Sequence, residues 1–123
     1  MLGIVPARLA APLAGESDGW PALGADTVGY LREHHAEPVY ANDAARAAGV
    51  SESRLKILFR YALNLSWVKY LQGYRIHRAA ALLSEGRLNV TEAALEVGFD
   101  SLSHFNETFH SFMGVSPKSF VRK

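Results

Sequence analysis

Two stretches of the 123-residue chain follow one rule, and that repetition limits the fold more than any other feature. The first reads DAARAAGVSESRLKILF from Asp43, the second EAALEVGFDSLSHFNETF from Glu92. In each, an alanine (Ala45, Ala94) stands four residues before a glycine (Gly49, Gly98), and a hydrophobe follows the glycine at once (Val50, Phe99). A serine follows (Ser51, Ser101), then an apolar face on a second helix. Two helices that cross tightly need a small side chain where their backbones meet, hence alanine. The turn between them needs a residue free to take positive φ, hence glycine. The rule predicts two helix-turn-helix units whose glycines lie 49 residues apart. Ala44, Ala48, Val50, Leu55 and Leu58 are expected to pack the core of the first. The second copy has one more residue before the first buried aromatic of its second helix, so its turn should be slightly longer. A plain helical hairpin satisfies one copy alone; two copies bridged by a basic helix ask for more.

Elsewhere the apolar spacing is helical from Ala25 onward. Val28 and Leu31 belong to a first helix that should stop near His35, ahead of Pro38. Asn42 to Ala48 reads as a short helix ended by Gly49, and Ser51 caps a helix to about Leu63 with Leu55, Leu58, Phe59 and Ala62 on one face. Asn64 tolerates the left-handed conformation that ends it. Ser66 caps a longer helix to about Ser84, with Trp67, Leu71, Tyr74, Arg78 and Leu82 along a stripe whose Trp67 and Tyr74 read as core. Asn89 and Glu92 form a capping-box start to a short helix closed by Gly98. Ser101 opens a helix carrying Phe105, Phe109 and Phe112, and Ser116-Pro117 starts a last short one to about Val121. Strand signals are absent. The expected fold is all-α, about seven helices: a first unit near 24–64, a connecting helix 66–84 and a second unit near 89–122. Residues 1–23 mix Gly, Pro, Ala and Ser without a sustained period and read as a linker or disordered N-terminal segment.

The net charge of +1 hides a division along the chain. Residues 1–41 balance to −3. Residues 54–87 carry Arg54, Lys56, Arg60, Lys69, Arg75, Arg78 and Arg87 against Glu85 alone, a balance of +6. Residues 88–117 hold no Lys or Arg, only Glu92, Glu96, Asp100 and Glu107. A basic middle third is either a solvated surface or the footprint of a domain that docks on phosphates. Absence of cysteine removes disulfides, thiolate zinc sites and cysteine nucleophiles together. No apolar run approaches the length of a membrane span. The start MLGIVPARLAAPLAG lacks a basic leading region and is broken by Pro6 and Arg8, which argues against a signal peptide. His34 and His35 are adjacent and point apart on a helix; His104 and His110 flank Glu107 without HExxH spacing. Neither a metal site nor a cofactor is expected, nor an enzyme, since no catalytic set converges.

Residues from about 25 to 122 resemble the DNA-binding domain of the AraC/XylS family of bacterial transcription regulators. AARAAGVSESRLKILFRYAL, YLQGYRIHRAAALL and above all TEAALEVGFDSLSHFNETFHSFMGVSPKSF carry the likeness, the last through Gly98-Phe99, Ser103, Phe105, Phe109, Gly114 and Ser116-Pro117. The resemblance implies sequence-specific promoter binding, with the second helix of each unit entering one of two successive major grooves. The partners it implies are double-stranded DNA and RNA polymerase, with no membrane, in the cytoplasm at the nucleoid. Family members usually carry a separate effector-binding or dimerisation domain, and residues 1–22 are too short to be one. The chain is thus expected to be either a short stand-alone regulator or the C-terminal piece of a longer one. Some regulators of this fold repair alkylated DNA by transfer to cysteine, which this composition excludes.

The same resemblance assigns the first recognition helix to Ser51–Leu63, presenting Ser51, Ser53, Arg54, Lys56, Ile57 and Arg60. Lys56 would read guanine O6 and N7. Ile57 would lie against a thymine methyl, or else be buried against the first helix. Arg54 and Arg60 would hold phosphates. Lys69, Arg75 and Arg78 of the connecting helix are either phosphate contacts or, for the two arginines, structural partners of acids such as Glu107 or Asp43. The second recognition helix, Ser101–Met113, would present Ser101, Ser103, His104, Asn106, Glu107 and His110. Many members hold arginine or lysine where Glu107 and His110 stand here. A carboxylate is repelled by phosphates, although it can accept a hydrogen bond from cytosine N4. The first unit and the connecting helix are therefore expected to supply most of the affinity. Asn64 for glycine, Tyr40 for a capping threonine and Val121 for arginine are smaller departures. The alternative function is a protein-interaction module that keeps the fold with weak or lost DNA affinity.

Overall fold

The computed structural model describes residues 26–121, and among them there are seven helices and no strand. In chain order these are residues 26–33 (α1), Ala41–Ala48 (α2), Glu52–Leu63 (α3), Trp67–Glu85 (α4), Val90–Glu96 (α5), Leu102–Met113 (α6) and Pro117–Val121 (α7). The linker expected over 1–23 lies outside the described residues. Two compact units emerge, dividing within α4 after Tyr70; the short segment His34–Pro38 belongs to the second.

In the first unit, α2 and α3 form the first helix-turn-helix. Tyr40 precedes α2 and offers no capping side chain, but the Asp43 carboxylate accepts the Tyr40 amide at 3.1 Å. Half of a capping box thus compensates for the missing threonine. The Gly49 amide then donates to Arg46 O and the Val50 amide to Ala45 O, both at 3.1 Å, which is a Schellman closure. Ser51 Oγ accepts the Arg54 amide and starts α3, and Asn64 ends it at φ 58°. Thr27, Leu31, Ala44, Ala45, Ala48, Leu55, Leu58, Phe59 and Trp67 are buried, while Val50 and Ala62 are half-buried. Tyr70 at the end of this unit accepts a hydrogen bond from Arg32 Nε on its hydroxyl and tilts its ring against Phe59.

The second unit repeats the device. Asn89 and Glu92 close a full capping box at 2.8 and 2.9 Å, satisfying two amides that the helix itself cannot. The Gly98 amide donates to Leu95 O and the Phe99 amide to Ala94 O, the same pair of closures as in the first copy. The connection between helices spans residues 97–101 here and 49–51 in the first unit, so the longer turn is present. Ile76, Ala79, Ala80, Leu83, Ala93, Ala94, Val97, Phe99, Phe105 and Phe109 form one core cluster, with Phe120 packed against it. Phe99, Phe105, Phe109 and Phe120 follow one another edge-on or tilted, with centroids 5.2 to 5.7 Å apart, a geometry that favours aromatic pairs.

Two helix faces differ from the sequence expectation. Along α4 the expected stripe is buried at Trp67 and Leu71, but Tyr74 and Leu82 are half-buried and Arg78 is exposed. The buried face of the second half runs instead through Ile76, Ala79, Ala80 and Leu83. A helix that serves two cores changes its buried face along its length, which a single stripe cannot describe. On α6, Phe112 is 40% exposed rather than core; its ring covers Gly73, where an added Cβ would meet it at 3.1 Å.

Candidate nucleic-acid interface

Burial along the two second helices follows one sequence of positions. Leu55, Leu58 and Phe59 are buried in α3 and Phe105, Thr108 and Phe109 in α6, so the two register on each other at an offset of 50 residues. The capping serines obey that register too: Ser51 Oγ accepts the Arg54 amide at 3.1 Å, and Ser101 Oγ accepts the His104 amide at 3.2 Å. Capping uses only a lone pair of each hydroxyl, so each serine keeps an O–H to donate outward.

All twelve side chains assigned to the two reading faces are solvent-exposed: Ser51, Ser53, Arg54, Lys56, Ile57 and Arg60 on one copy, Ser101, Ser103, His104, Asn106, Glu107 and His110 on the other. Ile57 is 51% exposed, which removes the reading that buried it against the first helix. It shares a shallow depression of about 270 Å³ with Lys56, Arg60 and Tyr61, an apolar floor between two cations. Tyr61 escaped the sequence reading, because its place next to Ile57 depends on which α3 face stays open.

The register makes the charge contrast specific. Arg54 corresponds to His104, Lys56 to Asn106, Ile57 to Glu107 and Arg60 to His110. Every cation of α3 is thus replaced by a neutral or titratable group on α6, and the exposed Ile57 by a carboxylate. One cation near α6 went unnoticed in the sequence. Lys118, on α7, lines an open groove of about 550 Å³ together with Asn106, Asn89, Thr91 and Ser116. Its signal was available, since the Ser116-Pro117 start places Lys118 in the first turn of α7.

The connecting-helix arginines separate in role. Arg78 is exposed and forms no ion pair among the described residues. Arg75 is half-buried, with Nε donating to His35 O at 2.7 Å and Nη2 to Glu37 O at 2.9 Å. Its partners are therefore backbone carbonyls and not Glu107 or Asp43; Asp43 instead faces Arg46 at 3.6 Å. Burial pulls the Arg75 guanidinium below its ordinary pKa, and the field of Asp100 opposes that shift. Among the described residues, no three His, Asp or Glu side chains converge as a metal site would require, and no helix is long and apolar enough to cross a membrane.

Known proteins share this architecture. A helix-turn-helix domain family model matches residues 44–123. The uncharacterized HTH-type transcriptional regulator YdeC of Bacillus subtilis (strain 168) is 32% identical over 93 residues, covering 76% of this chain and 32% of that protein. The chain thus spans about a third of the length of the curated relatives it matches. A transcriptional regulator of AraC-type DNA-binding domain from Chromobacterium violaceum superposes with a TM-score of 0.79 at 27% identity, over 85% of this chain and 94% of that one. The DNA-binding domain of AdpA, solved in complex with a target DNA, gives 0.74 at 26% identity, over 80% and 88%. The matched family is one of DNA-binding domains and not of enzymes. With a doubled Schellman turn, a shared burial register and these likenesses agreeing, the chain belongs to the AraC/XylS family of helix-turn-helix regulators.

Proposed function

We propose that this chain is the sequence-reading module of a bacterial transcription regulator, with α3 and α6 as its reading helices, each in a major groove of the same duplex. One observation carries the reading: two helix-turn-helix units, closed by the same pair of backbone hydrogen bonds, each leave the polar face of their second helix open. An open polar helix face is what the major groove admits. Lys56 donates to guanine O6 and N7, and Ile57 meets a thymine methyl. Arg54 and Arg60 hold phosphates, and Ser51 and Ser53 donate to the same backbone. On α6, Ser101, Ser103, His104 and His110 make the corresponding contacts, and Glu107 either accepts from cytosine N4 or repels.

Since α6 has neither lysine nor arginine, most of the electrostatic affinity comes from the first unit and α4. The module has no catalytic step of its own. RNA polymerase is its second partner, and the cytoplasm its place of action. The acidic run of residues 88–117 is the feature that favours the other reading, a protein-interaction module with the DNA affinity lost.

A gel shift over a range of salt concentrations separates the two. If about four phosphates are neutralised, log K should fall against log salt with a slope of about −4. Absent binding, or binding indifferent to salt, overturns the DNA reading and leaves the interaction module.

A further inference from the structure

We propose that Arg75 is a positioning residue for the second reading helix: its guanidinium ties the 34–38 turn to Phe99 and so sets the angle at which α6 leaves the Gly98 turn. The inference rests on the reading of α6 as a groove-facing helix.

Three groups meet the planar fork of this one side chain. Two are the carbonyls of His35 and Glu37, at 2.7 and 2.9 Å. The third is the face of Phe99, whose centroid lies 5.9 Å from the guanidinium carbon, within cation–π range. Phe99 is the first residue after the turn glycine, and its ring meets both His104 (5.4 Å) and Phe105 (5.2 Å), the third and fourth residues of α6. The same turn is pressed against the same carbonyl: a Cβ on Gly98 would stand 2.8 Å from His35 O and 3.2 Å from Ala36. The 34–38 turn is itself held shut, by the Glu37 amide on His34 O at 3.0 Å and by His34 Nδ1 at 3.1 Å from Glu37 Oε1.

A chain of contacts therefore runs from α4 through a rigid turn and an aromatic ring to the start of α6. Simple space-filling would be met by leucine. A half-buried charge costs desolvation, and the planar fork returns direction, fixing two acceptors and one ring face at set angles. Among the described residues the first turn has no such close approach: an added Cβ on Gly49 meets nothing within 4 Å.

The test uses a duplex selected from random sequence by the wild-type protein, with base pairs changed in the segment read by α3 or in the segment read by α6. Wild type should discriminate about tenfold per changed pair in either segment. Arg75→Met keeps the stem and loses the fork; it is expected to discriminate less than about twofold in the α6 segment while keeping the α3 segment intact. Arg75→Lys, which still donates to a carbonyl but cannot stack flat, should recover part of the loss.

Amide exchange of the free protein gives a readout that needs no DNA. In Arg75→Met the Phe99 and Phe105 amides, bonded to Ala94 O and Ser101 O, should exchange about tenfold faster, whereas the equivalent Val50 and Leu55 amides should not change. If Arg75→Met fails to fold, Phe99→Leu removes the aromatic link and should give the same one-sided loss. Equal loss of discrimination in both segments, or unchanged exchange at Phe99 and Phe105, overturns the proposal. A wild-type protein that selects no duplex contradicts the DNA reading instead, and the exchange comparison still decides what Arg75 does to the turn.

Discussion

Lys56 and Glu107 stand on the open faces of α3 and α6 with opposite charge, and each makes its own prediction. A lysine that donates to guanine contributes both affinity and selectivity, whereas one on phosphate contributes affinity alone. Lys56→Ala should cost about 1 to 3 kcal/mol at the selected site and relax one base preference, measured by anisotropy on that duplex and on random DNA. Equal losses on the two would place Lys56 on the backbone. Glu107 occupies the register position of Ile57 and in the proposed complex would face a polyanion, so Glu107→Ala should raise affinity. Unchanged or lowered affinity would show that the carboxylate is a reader of cytosine and not a penalty. The exposed face of α3 was readable from the sequence because helical period alone assigns Leu55, Leu58 and Phe59 inward. The role of Arg75 was not, because its acceptors are carbonyls forty and thirty-eight residues away, and carbonyls belong to every residue type.

The two turn glycines look alike in the sequence and differ in what they do. Gly49 is needed for its φ of 72° only, with open space around it, whereas Gly98 combines a φ of 98° with a carbonyl 2.8 Å from any Cβ. Gly49→Ala should therefore cost about 1 to 2 kcal/mol. Gly98→Ala should cost more by about 1 to 3 kcal/mol, because the 34–36 backbone must also give way. Chemical denaturation of both variants checks the order; equal losses would mean that the close approach relaxes freely. Helix ends were legible to within a residue or two because their signals are local: Ser51, Ser66, Asn89, Ser101 and Ser116 each accept an amide three residues on. The buried face of α4 was not legible in its second half. Its core partners Ala93, Val97 and Phe105 are distant in sequence, and Arg78 lies on the stripe that the first half defines.

Seen as one molecule, the chain joins a basic stretch, residues 54–87, to an acidic one, residues 88–117, within a family of DNA-binding domains, and it spans about a third of the relatives it matches. On the proposed reading, affinity and selectivity are divided unequally: α3 and α4 would supply most of the phosphate contacts, and α6 would add selectivity with little help from phosphates. That division, with two readers on one duplex, is the core of the account. Footprinting on duplexes selected by wild type, Lys56→Ala and Glu107→Ala tests it most directly. Two separate protected major-groove segments are predicted, with Lys56→Ala changing the selected sequence in one and Glu107→Ala in the other. A single protected segment, or both substitutions altering the same one, would contradict it.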